Sequence, residues 1–268
     1  MAPVLTFGYS PCPNDTFMFH AIADGVVTVP GHRVTPVLRD VETLNTLAFR
    51  GELDVTKLSF YAWLKAKDRY ALLDSGAAMG FGCGPVLIAR KALDPSAVDS
   101  WRVVLPGRWT TAHLLFRLWA PGAQQRCFVP YDRIFDHLAE GKADCGVIIH
   151  ESRFTFEAAG FQAVVDLGAW WEAQTGLPIP LGGIAARRSL GSVLIGQIDD
   201  AVQTSIQRAM ADPLASGPYV RRYAQEMDDT VLKAHIRTFV NDFSLDPGQT
   251  GRRAIAQLDA MARDAGLL

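Results

Sequence analysis

Short apolar runs of β character alternate along the chain with segments whose apolar residues recur at helical spacing. Pro3 to Gly8, Arg102 to Leu105 and Cys145 to Ile149 read as strands, and their interleaving with helices predicts an α/β fold. A first helix is expected after Asn14 and Asp15, either of which can cap its N-terminus, with its end near Gly25. A second runs from about Glu42 to Phe49, with Leu44, Leu47 and Ala48 on one face and Gly51 as its stop. From Gln197 onward the pattern is amphipathic helix: Ile198, Val202, Ile206 and Met210 share one stripe, and Val231, His235 and Phe239 follow on another.

Two internal echoes organise this pattern. Gly51-Glu52-Leu53-Asp54-Val55 and Gly141-Lys142-Ala143-Asp144-Cys145 both read as glycine stop, acidic turn, strand. The first strand ends in Lys57 and Ser59, the second in His150, so two similar lobes are expected to bring polar residues to matching strand ends. In open α/β sheets ligands collect beyond those carboxyl ends, which places a cleft between the lobes. The second echo sets Leu87 to Leu93 beside Gly183 to Leu190, apolar segments ending in basic residues, and reads as two crossover strands. Lobe one is then discontinuous, residues 1–92 and 187–268, with the C-terminal helices packed on it, and residues 93–186 form lobe two.

Composition narrows the partner. In 268 residues with 49% hydrophobic content, 26 basic against 28 acidic side chains leave a formal charge of −2, which offers no general attraction for nucleic acid or an anionic membrane. A small molecule is the expected ligand. No segment has the run of about 18 apolar residues that spans a membrane, and no leader-like stretch opens the chain, so a cytoplasmic protein is expected. Cys12, Cys83, Cys127 and Cys145 are far apart and read as buried thiols. Neither they nor the six histidines make a metal-ligand spacing, so no metal is expected.

His150 is the first candidate for chemistry, because it ends an apolar strand and imidazole is the natural general base near neutral pH. The alternative is a structural histidine on a backbone carbonyl. Glu151 could orient it, although neighbouring strand residues point to opposite faces. Thr110 or Thr111 should cap the helix after Pro106-Gly107-Arg108-Trp109, where free amides, the helix dipole and a hydroxyl could together hold a carboxylate. Lys57 and Ser59 occupy the matching strand end, and Ser10, Asn14 and Asp15 lie in the Pro-rich loop after the first strand. Asp40 and Glu42 could supply paired carboxylates, or serve only as acidic residues at a helix start. Gly80-Phe81-Gly82-Cys83-Gly84 lacks the spacing of a phosphate loop, and Trp170-Trp171 either stack on an aromatic ligand or pack in the core.

Taken together, Ser10-Pro11-Cys12-Pro13-Asn14-Asp15-Thr16-Phe17, Asp40-Val41-Glu42-Thr43-Leu44-Asn45, Lys57-Leu58-Ser59 and Ile148-Ile149-His150-Glu151-Ser152-Arg153-Phe154-Thr155 resemble the 1,4-dihydroxy-6-naphthoate synthases of the futalosine route to menaquinone. The resemblance runs nearly end to end and implies the two-lobed type II periplasmic-binding-protein-like fold, in agreement with the echoes. It also implies a lyase without a cofactor, acting on the small-molecule carboxylate cyclic dehypoxanthinyl futalosine and releasing 1,4-dihydroxy-6-naphthoate and dihydroxyacetone. By resemblance, Lys57, Leu58, Ser59, Thr110 and Thr111 bind substrate and His150 accepts the proton. Chorismate dehydratase shares the fold and pathway, and the fold also suits a non-catalytic binding protein. The Ser10 to Phe17 motif and His150 favour the synthase over the first, and the lack of a leader-like start argues against the second.

Overall fold

The computed structural model describes residues 2–224 and 228–268, and its strands form two sheets. In the first, β1 (Val4–Tyr9) lies between and parallel to β2 (Arg33–Leu38) and β3 (Val55–Ser59). β11 (Ile179–Arg187) joins β3 antiparallel and pairs in turn with β4 (Tyr70–Leu72) and β5 (Ala78–Gly80). In the second sheet, β7 (Val103–Leu105) lies between and parallel to β8 (Arg126–Phe128) and β9 (Cys145–Ile148). β6 (Val86–Ala89) joins β9 antiparallel, and β10 (Gln162–Asp166) closes that edge. The runs β2-β1-β3-β11 and β8-β7-β9-β6 therefore share order and direction, which is the duplication the echoes predict.

The helices repeat in step. α1 (Pro13–Ala23), α2 (Val41–Arg50) and α3 (Phe60–Ala66) follow β1, β2 and β3, as α4 (Thr111–Trp119), α5 (Ile134–Ala139) and α6 (Ser152–Thr155) follow β7, β8 and β9. The repeated acidic turn has a local cause: Asp54 accepts from the Thr6 amide at 2.9 Å and Asp144 from the Arg102 amide at 2.8 Å. Each aspartate thus ties the start of one parallel strand to its neighbour, and each also meets an arginine, Arg187 and Arg102 respectively. α2 begins where Asp40 accepts from the Glu42 and Thr43 amides and ends at Gly51, whose φ of 74° closes the helix in the left-handed conformation.

Strand pairing corrects the expected boundary at residue 92. β6 lies wholly in the second sheet, so the chain leaves the first sheet after Gly80 and returns with β11 from Ile179. The two segments read as crossover strands are instead equivalent antiparallel strands, each laid down after a crossing. The Gly80 to Gly84 stretch makes the outward crossing because Gly84, at φ 124°, leaves no room for a Cβ, which would sit 2.9 Å from Ile179 and 3.0 Å from Gly168. α1 starts two or three residues earlier than expected: Pro13, with its preset φ, takes the first helical position after Cys12, leaving Asn14 and Asp15 inside the first turn.

α7 (Leu167–Thr175) joins β10 to β11, and α8 (Ser192–Ala211), α9 (Pro213–Tyr223), α10 (Asp229–Phe239), α11 (Asp242–Leu245) and α12 (Gly248–Asp264) complete the chain. Ile198, Val202 and Ile206 of α8 bury against Phe17, Met18 and Phe19 of α1, but the stripe ends before Met210, which is exposed. The tail is not confined to lobe one. Ala254, Ile255 and Leu258 of α12 share a core with Leu105 and Val147 of the second sheet as well as Phe60 and Met79 of the first, so α12 spans the joint. Among the described residues no helix is long and apolar enough to cross a membrane. Three cysteines are buried as expected, but Cys127, on the edge strand β8, is exposed.

Candidate active site

Parallel strands of both sheets deliver their carboxyl ends to one cleft of about 660 Å³, mouth included. Ser10, Asn14, Asp15, Lys57 and Ser59 line it from the first lobe, and Thr110, Thr111 and His150 from the second. Phe239 of α10 and Ile149 supply apolar wall. Eight of the sequence candidates therefore meet, and Leu58, Asp40 and Glu42 do not line the cleft.

The first-lobe corner is internally neutralised. Asp15 accepts from Lys57 Nζ at 2.9 Å and from Asn14 Nδ2 at 2.9 Å on Oδ1, and from the Ser10 amide and hydroxyl at 3.0 and 2.7 Å on Oδ2. The Lys57 and Asp15 side chains are only 7% and 1% exposed, so the ion pair is a buried one, with the carboxylate's lone pairs satisfied by protein. Ser59 is held through Asn45, whose Oδ1 takes the Ser59 amide at 3.0 Å while its Nδ2 donates to the Ser59 hydroxyl at 3.2 Å. Strand alternation turns Leu58 to the opposite face, where it is fully buried among Ala48, Ala66, Tyr70 and Ala185. Its side chain is thus part of the core.

Asp40 and Glu42 do not act as paired carboxylates. Asp40 caps α2, and Glu42 reaches across to lobe two, where Oε1 takes the Arg108 amide at 2.7 Å and Oε2 the Trp109 amide at 3.0 Å. This clasp requires Gly107: at φ 151° a Cβ there would lie 2.7 Å from the Glu42 carboxyl. Burial raises the Glu42 carboxyl above its ordinary range, against the pull of those two amides.

Thr110 is the cap of α4, accepting from the His113 amide at 3.2 Å and donating to Gly107 O at 3.1 Å. The Thr111 hydroxyl donates to Leu181 O at 2.7 Å and accepts from the Tyr61 amide at 3.3 Å. Both hydroxyls are committed to the protein. What the helix start offers to the cleft is its first amides, those of Thr111 and Ala112, which have no carbonyl partner within their own helix. Behind them His113 Nδ1 donates to Arg108 O at 2.7 Å, and burial pushes this imidazole down to about 4, so it stays neutral and fixes the loop.

His150 is not in the strand. It stands one residue past Ile149 at φ 58°, the one non-glycine residue with positive φ among those described. That left-handed turn carries the ring into the cleft and swings Glu151 round on the same side, which removes the objection that neighbours face apart. Nδ1 lies 3.6 Å from the Cys12 sulfur, Tyr131 packs edge-on at 4.9 Å, and the His235 ring lies nearly parallel at 6.2 Å. Burial lowers the His150 pKa below the ordinary imidazole value, opposed by the negative charges of Glu151 and Asp15. Burial also raises the Cys12 thiol well above its ordinary range, with Glu151 and Asp15 adding to the effect, so Cys12 faces His150 as a thiol rather than a thiolate.

Cys12, Tyr131 and His235 were not among the sequence candidates. The usable signal for His235 was a titratable ring in an otherwise apolar helical stripe; it is fully buried beside Phe239. Trp171 proves to be core, its Nε1 donating to Leu177 O and Pro178 O at 3.1 Å. No three His, Cys, Asp or Glu side chains among the described residues are arranged to hold a metal ion.

A family model described as menaquinone biosynthesis matches residues 5–264. The 1,4-dihydroxy-6-naphthoate synthase of Thermus thermophilus is 51% identical over 98% of this chain and 95% of its own, and that of Streptomyces coelicolor 44% over 100% and 95%. Among solved structures, protein AF1704 from Archaeoglobus fulgidus superposes with a TM-score of 0.93 at 33% identity, covering 99% of this chain and 98% of that one. The Candida albicans CA3427 gene product, described as having the generic periplasmic binding protein fold, gives a TM-score of 0.72 at 14% identity, covering 99% and 91%. That likeness concerns the fold alone, and it agrees with the two-lobed periplasmic-binding-protein-like architecture.

Proposed function

Because the chain belongs to the menaquinone-biosynthesis family, we propose that it converts cyclic dehypoxanthinyl futalosine to 1,4-dihydroxy-6-naphthoate and dihydroxyacetone, with His150 as general base. It is an enzyme with the 1,4-dihydroxy-6-naphthoate synthase activity for which its relatives are named. The observation that carries the mechanism is the placement of His150: a left-handed turn aims an imidazole kept neutral by burial into the cleft.

In the tautomer that carries its hydrogen on Nδ1, facing the Cys12 sulfur at 3.6 Å, Nε2 is bare to take a proton from the substrate. Loss of that proton drives carbon–carbon cleavage, and formation of the aromatic ring makes the step downhill, so base and positioning suffice. The substrate carboxylate sits on the first amides of α4, where partial positive charge and unpaired N–H groups meet. Lys57 and Ser59, fixed by Asp15 and Asn45, orient the remaining oxygens from the opposite wall. The partner is thus a small-molecule carboxylate, and a cytoplasmic biosynthetic role fits the family.

Purified protein incubated with cyclic dehypoxanthinyl futalosine should develop naphthoate absorbance, and with chorismate it should not. Turnover of chorismate alone would move the assignment to the dehydratase; binding without turnover of either would reduce the protein to a binding module.

A further inference from the structure

Beside the proposed base lies a second imidazole for which that reaction has no use. His235 is fully buried, and its hydrogen positions follow from its neighbours. Asp15 can only accept, so the Asn14 amide turns its N–H to Asp15 and its Oδ1 to His235. Asn14 Oδ1 can also only accept, so His235 Nε2, 2.9 Å away, carries the hydrogen. Nδ1 of the neutral ring is then a bare lone pair. It looks across 3.8 Å at Glu151 Oε2, and neither atom has a hydrogen-bond partner although both are buried. The other carboxylate oxygen accepts from Tyr131 at 3.3 Å. A separation of 3.8 Å exceeds a hydrogen bond, so two buried acceptor atoms face each other unbonded. Along the chain of contacts from Lys57 through Asp15, Asn14 and His235 to Glu151 and Tyr131, every link is a hydrogen bond except this one.

We propose that His235 is a positioning residue whose bare Nδ1 and the Glu151 carboxylate close this gap by taking up one proton from solvent and sharing it, and so set both the aim of His150 and the charge beside it. The proposal rests on the reading of His150 as base. Glu151 follows His150 directly, so drawing its carboxylate to His235 fixes the left-handed turn that points the base. When no proton is shared, the Glu151 charge strengthens His150 as a base; when one is shared, that support is withdrawn. Lys57 and Asp15 from the first lobe, Cys12 from the loop before α1, Tyr131 from the second lobe and the more distant Asp40 are the other charged or titratable groups around the two rings. Burial, His150 and Lys57 all hold His235 well below the ordinary imidazole range, which keeps Nδ1 an acceptor.

Two variants should move the pH profile in opposite directions. Glu151→Gln keeps the shape, gives Nδ1 an N–H and removes the charge, so the acidic limb of kcat/KM should shift down by about one pH unit and kcat fall about tenfold, with KM little changed. His235→Gln keeps the bond to Asn14 but leaves Glu151 without its partner, so the limb should shift up. A packing role alone would lower Tm in both variants and leave the limb in place. Nitrogen-15 NMR of the His235 ring reads the pair whether or not His150 is the base: an Nε2–H tautomer is expected, with an Nδ1 resonance that moves in Glu151→Gln. If the limb survives in His150→Asn, the base reading fails while the NMR still decides the pair. Unmoved limbs in both variants, or an Nδ1 signal indifferent to Glu151→Gln, would overturn the proposal.

Discussion

At the end of β3, Lys57 lies in extended backbone with its ammonium 2.9 Å from Asp15; at the equivalent end of β9, His150 sits at φ 58° with no carboxylate bonded to its ring. The helix starts differ in the same sense. α1 carries the negative charge of Asp15 in its first turn, beside its positive end, whereas the first turn of α4 holds no acidic residue and lines the cleft. One lobe has cancelled its charges and supplies fixed walls. The other keeps an uncancelled base and an uncancelled anion cradle. Duplicated elements are thus specialised by which corner is neutralised, at no change in topology.

The sharpest way to break this comparison is His150→Asn. A positioned base contributes about 10²–10⁴ in rate, so turnover should fall on that scale while product affinity holds, because the lost interaction belongs to the transition state. Wild-type activity should fall on the acid side with a limb below the ordinary value of about 6.5, since burial disfavours the protonated ring. A folded variant retaining more than roughly a tenth of the rate would end the asymmetry.

In the first lobe the same removal should act on stability. Asp15→Ala strands a buried ammonium, and such a loss costs about 3–5 kcal/mol, measurable as a lowered denaturation midpoint. A cost under about 1 kcal/mol would mean that Lys57 is solvated and the corner not neutralised by design of the fold.

His113 probes what keeps the α4 cradle in shape. The unfolded imidazole takes its proton below about 6.5, the folded one only at about 4. Between those values the unfolded state binds more protons, so stability is full above 6.5 and declines as pH falls through the window, by up to about 3 kcal/mol. His113→Asn, which can still donate to Arg108 O, should flatten that slope in urea titrations at stepped pH.

Smaller effects should follow from the cap and the clasp. Thr110→Ala should cost about 1 kcal/mol of stability through the lost helix cap, and weaken product binding only modestly if the amides hold the carboxylate. A collapse of binding, read by calorimetry, would return that role to the hydroxyl. Glu42→Ala removes the inter-lobe contact to the Arg108 and Trp109 amides, so small-angle scattering of the free protein should show a slightly larger radius of gyration, restored by product. No change would show that the clasp does not hold the lobes.

Much of this was legible in the chain because it depends on neighbours in sequence. Gly51 and Gly141 stop helices through their own backbone freedom, Asp40 and Thr110 cap helices one residue on, and alternating apolar runs mark strands wherever they end up pairing. The echoes built from these local devices exposed the duplicated lobes, and strand-end logic brought His150, Lys57, Ser59 and the α4 start to one cleft. Tertiary structure alone decided the rest. Which sheet β6 joins is a matter of hydrogen-bond partners supplied by β9 and β10, so residue 92 could not mark the boundary. Whether the Thr110 and Thr111 hydroxyls are free depends on Gly107, Leu181 and Tyr61, and whether Glu42 is a cleft acid or a clasp depends on amides 66 and 67 positions away. His235 lies 85 residues from His150 in the chain, yet the two rings are stacked; only the packing of α10 against the cleft makes them neighbours, because burial and charge act through space and not along the sequence.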